Sequence, residues 1–217
     1  VYKRQVCRLS LNVVKKPIAD SGFLSESQLG IIGSALFFSY AFGKLLNGFL
    51  ADHSNIKRFM SAGLLISALA NLVMGFTNAY LFFIICWGIN GWVQSIGAAC
   101  CVVGLSRWYK SSERGSFYGF WSTSHNIGEA LTYILTAVVA SYCGWRWGFL
   151  TAAIVGFIGV AILYFFFHDS PESIGLPPVN EQVAQEKKSV WGEQLGVIKN
   201  PYVWLLAFSS AFMYTSR

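Results

Sequence analysis

The chain has 217 residues, 54% of them hydrophobic and 12% charged, with a mean hydropathy of +0.49 and a formal charge of +6. A soluble domain carries roughly a quarter charged residues, so the composition excludes an ordinary soluble globular domain and points to a polytopic membrane protein. The basic excess falls mostly in loops between apolar segments, which removes a nucleic-acid-binding reading.

The first five residues, VYKRQ, match the translated end of a transposon adaptor and are expected to be a scar outside fold reasoning. Lys3 and Arg4 would otherwise sit in a helix that must cross lipid. The chain proper is expected from about Val6, part-way along a truncated first helix that ends near Pro17 and carries Arg8 and Asn12 on one face. Residues 18–28 read as the first loop, with Gly22 and serines as turn and cap residues. The second span, about Leu29 to Ala51, has Lys44 as its interior charge, too far from either end to snorkel. Tyr40, Gly43, Lys44 and Asn47 share a stripe, which suggests a cavity-lining lysine; a structural pair with a neighbouring acid is the alternative.

A tight charged loop, GFLADHSNIKR, runs from Gly48 to Arg58. The third span is expected over about Phe59–Phe76 and the fourth over about Ala79–Leu105. Small residues such as Gly88, Gly91 and Gly97 let helix backbones approach closely; Gln94, polar at mid-span, is expected to line a cavity. SRWYKSSERG then leads to a fifth span, about Ser116–Tyr142, and CGWRW leads to a sixth, about Gly148–Phe167. His168 reads as an interfacial residue. Residues 169–200 read as a polar loop with a short surface helix, and a seventh span begins at Pro201 and is cut off at Arg217.

The most informative stretch is Arg114–Glu129, RGSFYGFWSTSHNIGE. Ionisable groups are expensive in a bilayer and face a cavity or a partner. Trp121, His125, Gly128, Glu129 and Thr132 recur at helical spacing and so share one stripe. Cys7, Cys86, Cys100, Cys101 and Cys143 lack metal-ligand spacing and read as packing residues. There is no nucleophile–base arrangement, metal cluster or phosphate loop of the nucleotide-binding kind, so neither an enzyme nor a cofactor is expected. Lysine and arginine in the short loops number eight on one side and three on the other, which places the loop at 169–200 in the cytoplasm.

What remains is Arg8, Lys44 and Arg217, with His125 and Glu129, all expected at membrane depth. Arginine offers a planar fork to carboxylate or phosphate oxygens and lysine a point charge. Clustered cations need an anion to offset their desolvation, and a phosphorylated solute meets that need better than a neutral sugar.

The apolar spans, the long polar loop and GFLADHSNIKR resemble the major facilitator superfamily, through Gly48, Asp52, Lys57 and Arg58; His53 and Asn55 depart from its loop motif. RGSFYGFWSTSHNIGE is similar to the signature of the organophosphate:phosphate antiporters. Arg114, Gly115, Trp121, His125, Asn126, Ile127 and Gly128 match it; Ser122 replaces an asparagine and Glu129 a glycine.

The resemblance implies an all-α polytopic membrane protein: an amino-terminal six-helix bundle over 6–168, a cytoplasmic inter-domain loop over 169–200 and the start of a seventh helix over 201–217, the whole being a fragment of a carrier. It implies that Arg8 and Arg217 hold phosphate, that Lys44 and His125 line the same cavity, and that Tyr40, Gln94, Trp121 and Glu129 are further cavity-lining candidates. The expected partners are a small phosphorylated solute and inorganic phosphate, with the cell inner membrane as location and no nucleic acid; the full-length protein would be a monomer. A sugar-phosphate receptor signalling to a sensor kinase, or a proton-coupled facilitator of another anion, are the alternatives. Glu129 opposes a phosphate dianion, so it either pairs with Lys44 or His125 or marks a different substrate.

Overall fold

The computed structural model describes residues 2–177 and 199–215, with 179 and 196 between them. The described elements are helical: α1 Tyr2–Asp20, α2 Glu26–His53, α3 Ile56–Phe76, α4 Tyr80–Trp108, α5 Arg114–Cys143 and α6 Trp145–Phe166, then a single 3₁₀ turn, Pro171–Ile174, and α7 Pro201–Thr215. Two compact units divide the chain, Val1–Val179 with α1–α6 and Asn180–Arg217 with α7.

α1 passes through Pro17 and ends at Asp20, three residues later than the proline suggested. A proline removes one hydrogen bond and crowds the preceding turn. The helix nevertheless continues one turn past Pro17, and Ser21 closes the end by donating from its amide to the Pro17 carbonyl (3.1 Å) and from its hydroxyl to that of Ile18 (2.7 Å). Gly22, at φ 71°, then turns the chain in a conformation that disfavours a side chain. The loop before α2 shrinks accordingly to Ser21–Ser25. Ser25 caps α2 in a capping box: its hydroxyl accepts the Gln28 amide at 3.3 Å while its own amide donates to the Gln28 side chain at 2.9 Å.

Four of the described helices, α2, α3, α4 and α6, are long and apolar enough to cross a membrane. α5 spans 30 residues, but its polar stripe lowers its hydropathy, and α1 carries several basic residues. These two pack on each other, with α6 also against α1; α3 sits between α4 and α6, and α2 lies along α4. Two apolar clusters fill the bundle. One contains Leu11, Phe83, Trp87 and Phe149, the other Met60, Val93, Ile96 and Cys100. A polar layer of Ser10, Ser67, Asn71, Asn90 and Gln94 completes the interior; all five are buried.

The α2–α4 contact is backbone to backbone. A Cβ added to Gly91 would overlap the Leu36 carbonyl, and one added to Gly43 would come within 3.1 Å of the Trp92 carbonyl oxygen. Asn47 reinforces the seam by donating to the Trp92 carbonyl at 3.0 Å and to the Ser95 hydroxyl at 2.7 Å.

At one end of the bundle, Arg107 buckles three helix termini together. Its guanidinium pairs with Asp169 at 2.8 Å and donates to the Asp52 carbonyl at 3.2 Å, while the other Asp169 oxygen accepts the Ile56 amide. The ends of α2 and α4, the start of α3 and the segment after α6 are thereby tied. Beyond the buckle, Ser170 holds the exposed Glu172 carboxyl below its usual range.

Gly91→Ala is expected to lower stability by about 1–3 kcal/mol, the usual cost of overpacking. Gly48→Ala, with nothing within 4 Å of the added carbon, should not. Thermal unfolding in detergent compares the two, and equal midpoints would disprove the tight α2–α4 contact. Asp169→Leu should speed amide hydrogen exchange at Ile56 and cost about 1.5–3 kcal/mol, as for a hydrogen bond to a charged group; unchanged exchange would count against the buckle.

Candidate functional site

Arg8 stands on α1, half-buried, where α1 passes α2. Its guanidinium carbon lies 4.7 Å from the centroid of the Tyr40 ring, and the Lys44 ammonium lies 5.2 Å from the same centroid. Tyr40 and Lys44 are one turn apart on α2, so the helix itself presents both to α1. Cations are held over an aromatic ring by its quadrupole. Three sequence-predicted residues thus meet, two cations on the ring of the third. The remaining members of that expected stripe, Gly43 and Asn47, are buried against α4 instead, because the stripe is wide enough to serve two neighbours.

The stripe on α5 turns inward as expected. Gly128, Thr132, Thr136 and Ala140 are buried, while Trp121, His125 and Glu129 are half-buried. His125 and Glu129 therefore sit one turn apart on the helix that packs against α1, the helix of Arg8. Among the described residues the ion pair within 4.0 Å is Arg107–Asp169. An ion pair of Glu129 with Lys44, one of the two expected pairings, is not seen among the described residues. Lys44 reaches along its own helix to Tyr40, not across to α5.

Two cavity-lining expectations need amendment. Gln94 is 5% exposed and donates to the Ser67 hydroxyl at 2.7 Å, so it belongs to the polar layer between α3 and α4. Its mid-span position signalled a polar requirement correctly, but helix packing satisfies that requirement. Trp121 lines an apolar recess of about 390 Å³ with Cys101, Trp108, Tyr109, Phe167 and His168. Neither Arg8, Tyr40 nor Lys44 borders that recess. The Trp121 indole N–H is buried there without an acceptor.

Of the loop motif, Gly48 is half-buried, Asp52 and Arg58 are exposed, and Lys57 lies 5.4 Å from the Tyr164 ring centroid. The loop is anchored through backbone groups by Arg107 and Asp169, a pair sequence reasoning missed; an arginine closing α4 and an aspartate just after α6 were its only traces. Arg217 lies outside the described residues. The described residues contain no group of three side chains suited to a metal, and all five cysteines are free thiols.

The site's electrostatic character follows from its surroundings. Two cations share one ring, and no carboxylate of the described residues lies within 4.0 Å of either. Arg8 is half-buried and Lys44 is exposed, and two like charges on one ring favour an anion beside them.

The chain spans about half the length of the curated relatives it matches. A probable hexose phosphate transport protein of Chlamydia muridarum is 38% identical over 92% of this chain and 48% of its own length. The membrane sensor protein UhpC of Salmonella typhimurium is 32% identical over 97% of this chain and 50% of its own. The hexose-6-phosphate:phosphate antiporter of the same organism is also 32% identical, again over 97% and 50%. The profile of the Major Facilitator Superfamily matches residues 8–216. With its multi-pass helical bundle, the chain belongs to the major facilitator superfamily.

Proposed function

We propose that this chain supplies one half of a carrier that exchanges an organophosphate, of the sugar-phosphate class, for inorganic phosphate by alternating access. The observation that carries the reading is the pair of cations on the Tyr40 ring without a nearby carboxylate. Arg8 offers two parallel donors to phosphate oxygens, Lys44 adds a point charge, and His125 would add a further donor from α5. Arg217 would supply the matching fork from the seventh helix. A phosphate held by both halves of such a carrier bridges them, so binding lowers the barrier to their rocking. The names of the relatives support a hexose phosphate as the organic partner. The basic loops support a location in the cell inner membrane with residues 169–200 cytoplasmic. A monomeric carrier accounts for all of this without a cofactor or catalysis.

A second reading has its own support. A relative of equal coverage is named a membrane sensor, and the same anion site would serve a receptor that signals to a sensor kinase. A third rests on Glu129, whose carboxylate would suit a proton-coupled facilitator of another anion.

The test is counterflow: proteoliposomes containing the chain within its complete carrier, loaded with phosphate and given labelled glucose 6-phosphate. Exchange is expected, and binding without exchange would favour the receptor. In that system Arg8→Lys should be nearly as damaging as Arg8→Ala. Lysine keeps the charge but loses the fork, and a charge-assisted bond contributes about 1.5–3 kcal/mol, or roughly ten- to a hundredfold in affinity. Near-parental exchange by Arg8→Lys would overturn planar recognition. Glu129→Gln should retain phosphate binding and tighten it, because one negative charge facing the dianion is gone. Lost binding would show that the carboxylate serves the substrate itself, and the third reading would replace the first.

A further inference from the structure

Arg8 can meet Tyr40 and Lys44 only if α1 keeps one rotation and one height in the bundle. A helical residue advances by 100° and 1.5 Å, so a small slip of α1 carries the guanidinium off the ring. The structure holds α1 at the residue just before Arg8. The Cys7 carbonyl oxygen accepts the side-chain amide of Asn71, from α3, at 3.0 Å and that of Asn90, from α4, at 2.9 Å. On α6, the Cys7 thiol donates to the Ala152 carbonyl at 3.2 Å, and Gly156 leaves room for the sulfur. Cys7, Asn71 and Asn90 are completely buried.

Both amides are themselves aimed by further bonds. Asn71 accepts the Ser10 hydroxyl at 2.9 Å, one turn along α1, and donates to the Ser67 carbonyl at 2.9 Å. Asn90 accepts the Ser67 hydroxyl, and that oxygen accepts the Gln94 amide at 2.7 Å. Cys7 lies inside α1, whose own ladder brings the Leu11 amide to the same carbonyl, so the two asparagine amides share an oxygen that the helix already holds in place. Neither asparagine is free to turn away without leaving a buried polar group unsatisfied, a loss of the kind that is severe in a membrane interior.

We infer that Asn71 and Asn90 are positioning residues that clamp the Cys7 carbonyl and thereby hold Arg8 over Tyr40 and beside Lys44. Their functional importance rests on Arg8 being the phosphate ligand proposed above; the clamp itself does not. Two amides from two helices on one oxygen triangulate α1, fixing its rotation as well as its depth. A purely cohesive role would need only some hydrogen bond between helices, not two on the peptide next to the arginine.

The structure supplies a built-in control. Arg146 also lies over a ring, with its guanidinium carbon 4.4 Å from the Trp145 centroid, on α6. Protein labelled with ¹⁵N-arginine should show two Nε–H protons displaced upfield by these rings, assigned by their loss in Arg8→Lys and Arg146→Lys. Asn90→Leu and Asn71→Leu, which keep side-chain size and remove the donor, should abolish the displacement at Arg8 and leave that at Arg146. An Arg8 signal that stays displaced in both variants would overturn the clamp. Loss of both signals in both variants would also overturn it, showing ties that hold the bundle as a whole. The readout contains no ligand. Inorganic phosphate is then titrated separately into the parent within its complete carrier. An Arg8 signal unmoved by phosphate would count against the phosphate reading and leave the clamp standing.

Discussion

The polar layer in the apolar bundle centres on one carbonyl. A membrane interior offers no water to satisfy a stray polar group, so each must find a protein partner. At Cys7 that demand joins helices distant in sequence: Asn71 and Asn90 arrive from α3 and α4, and the thiol engages α6. Interhelical hydrogen bonds in membranes contribute about 0.6–2 kcal/mol each, less than close packing does in sum. Their value here is directional. Apolar faces tolerate sliding, whereas an amide on a carbonyl does not, so the layer specifies how the two apolar clusters are stacked.

The cation pair at Tyr40 uses the opposite device. Around Cys7 every polar group of the asparagine layer has a partner, while at Tyr40 two cations meet a ring with no acid of the described residues within 4.0 Å. A ring attracts a cation more weakly than a carboxylate does and neutralises none of its charge. It can therefore keep Arg8 and Lys44 ordered without satisfying them. An acid in its place would compete with any anionic ligand. Keeping structural and functional polarity on separate faces of α1 lets one helix serve both.

The helices, the inward stripe of α5 and the convergence of Tyr40 with Lys44 were legible in the sequence, because each depends on spacing within one helix. Arg8 was singled out as a charge that lipid would not accept. The rest depends on register between helices. Nothing local pairs Asn90 with Cys7, 83 residues away, or Arg107 with Asp169, 62 residues away. Gln94 showed the same ambiguity: a polar residue at mid-span reads alike whether it faces a cavity or a neighbouring helix. The end of α1 was misjudged because Pro17 lies inside the helix, whose last turn continues past it to Asp20.

The contact of α2 with α4 at Gly91 has a consequence for how such a protein could change its ligand. Two backbones in contact leave no slack, so α2 cannot drift sideways to widen or narrow the space around Lys44. On the proposed reading, adaptation to a larger or differently charged solute has to come through side-chain identity at positions such as Tyr40, Lys44 and Glu129. New specificities would then emerge in single, discrete steps on an unaltered scaffold, not by gradual deformation of it.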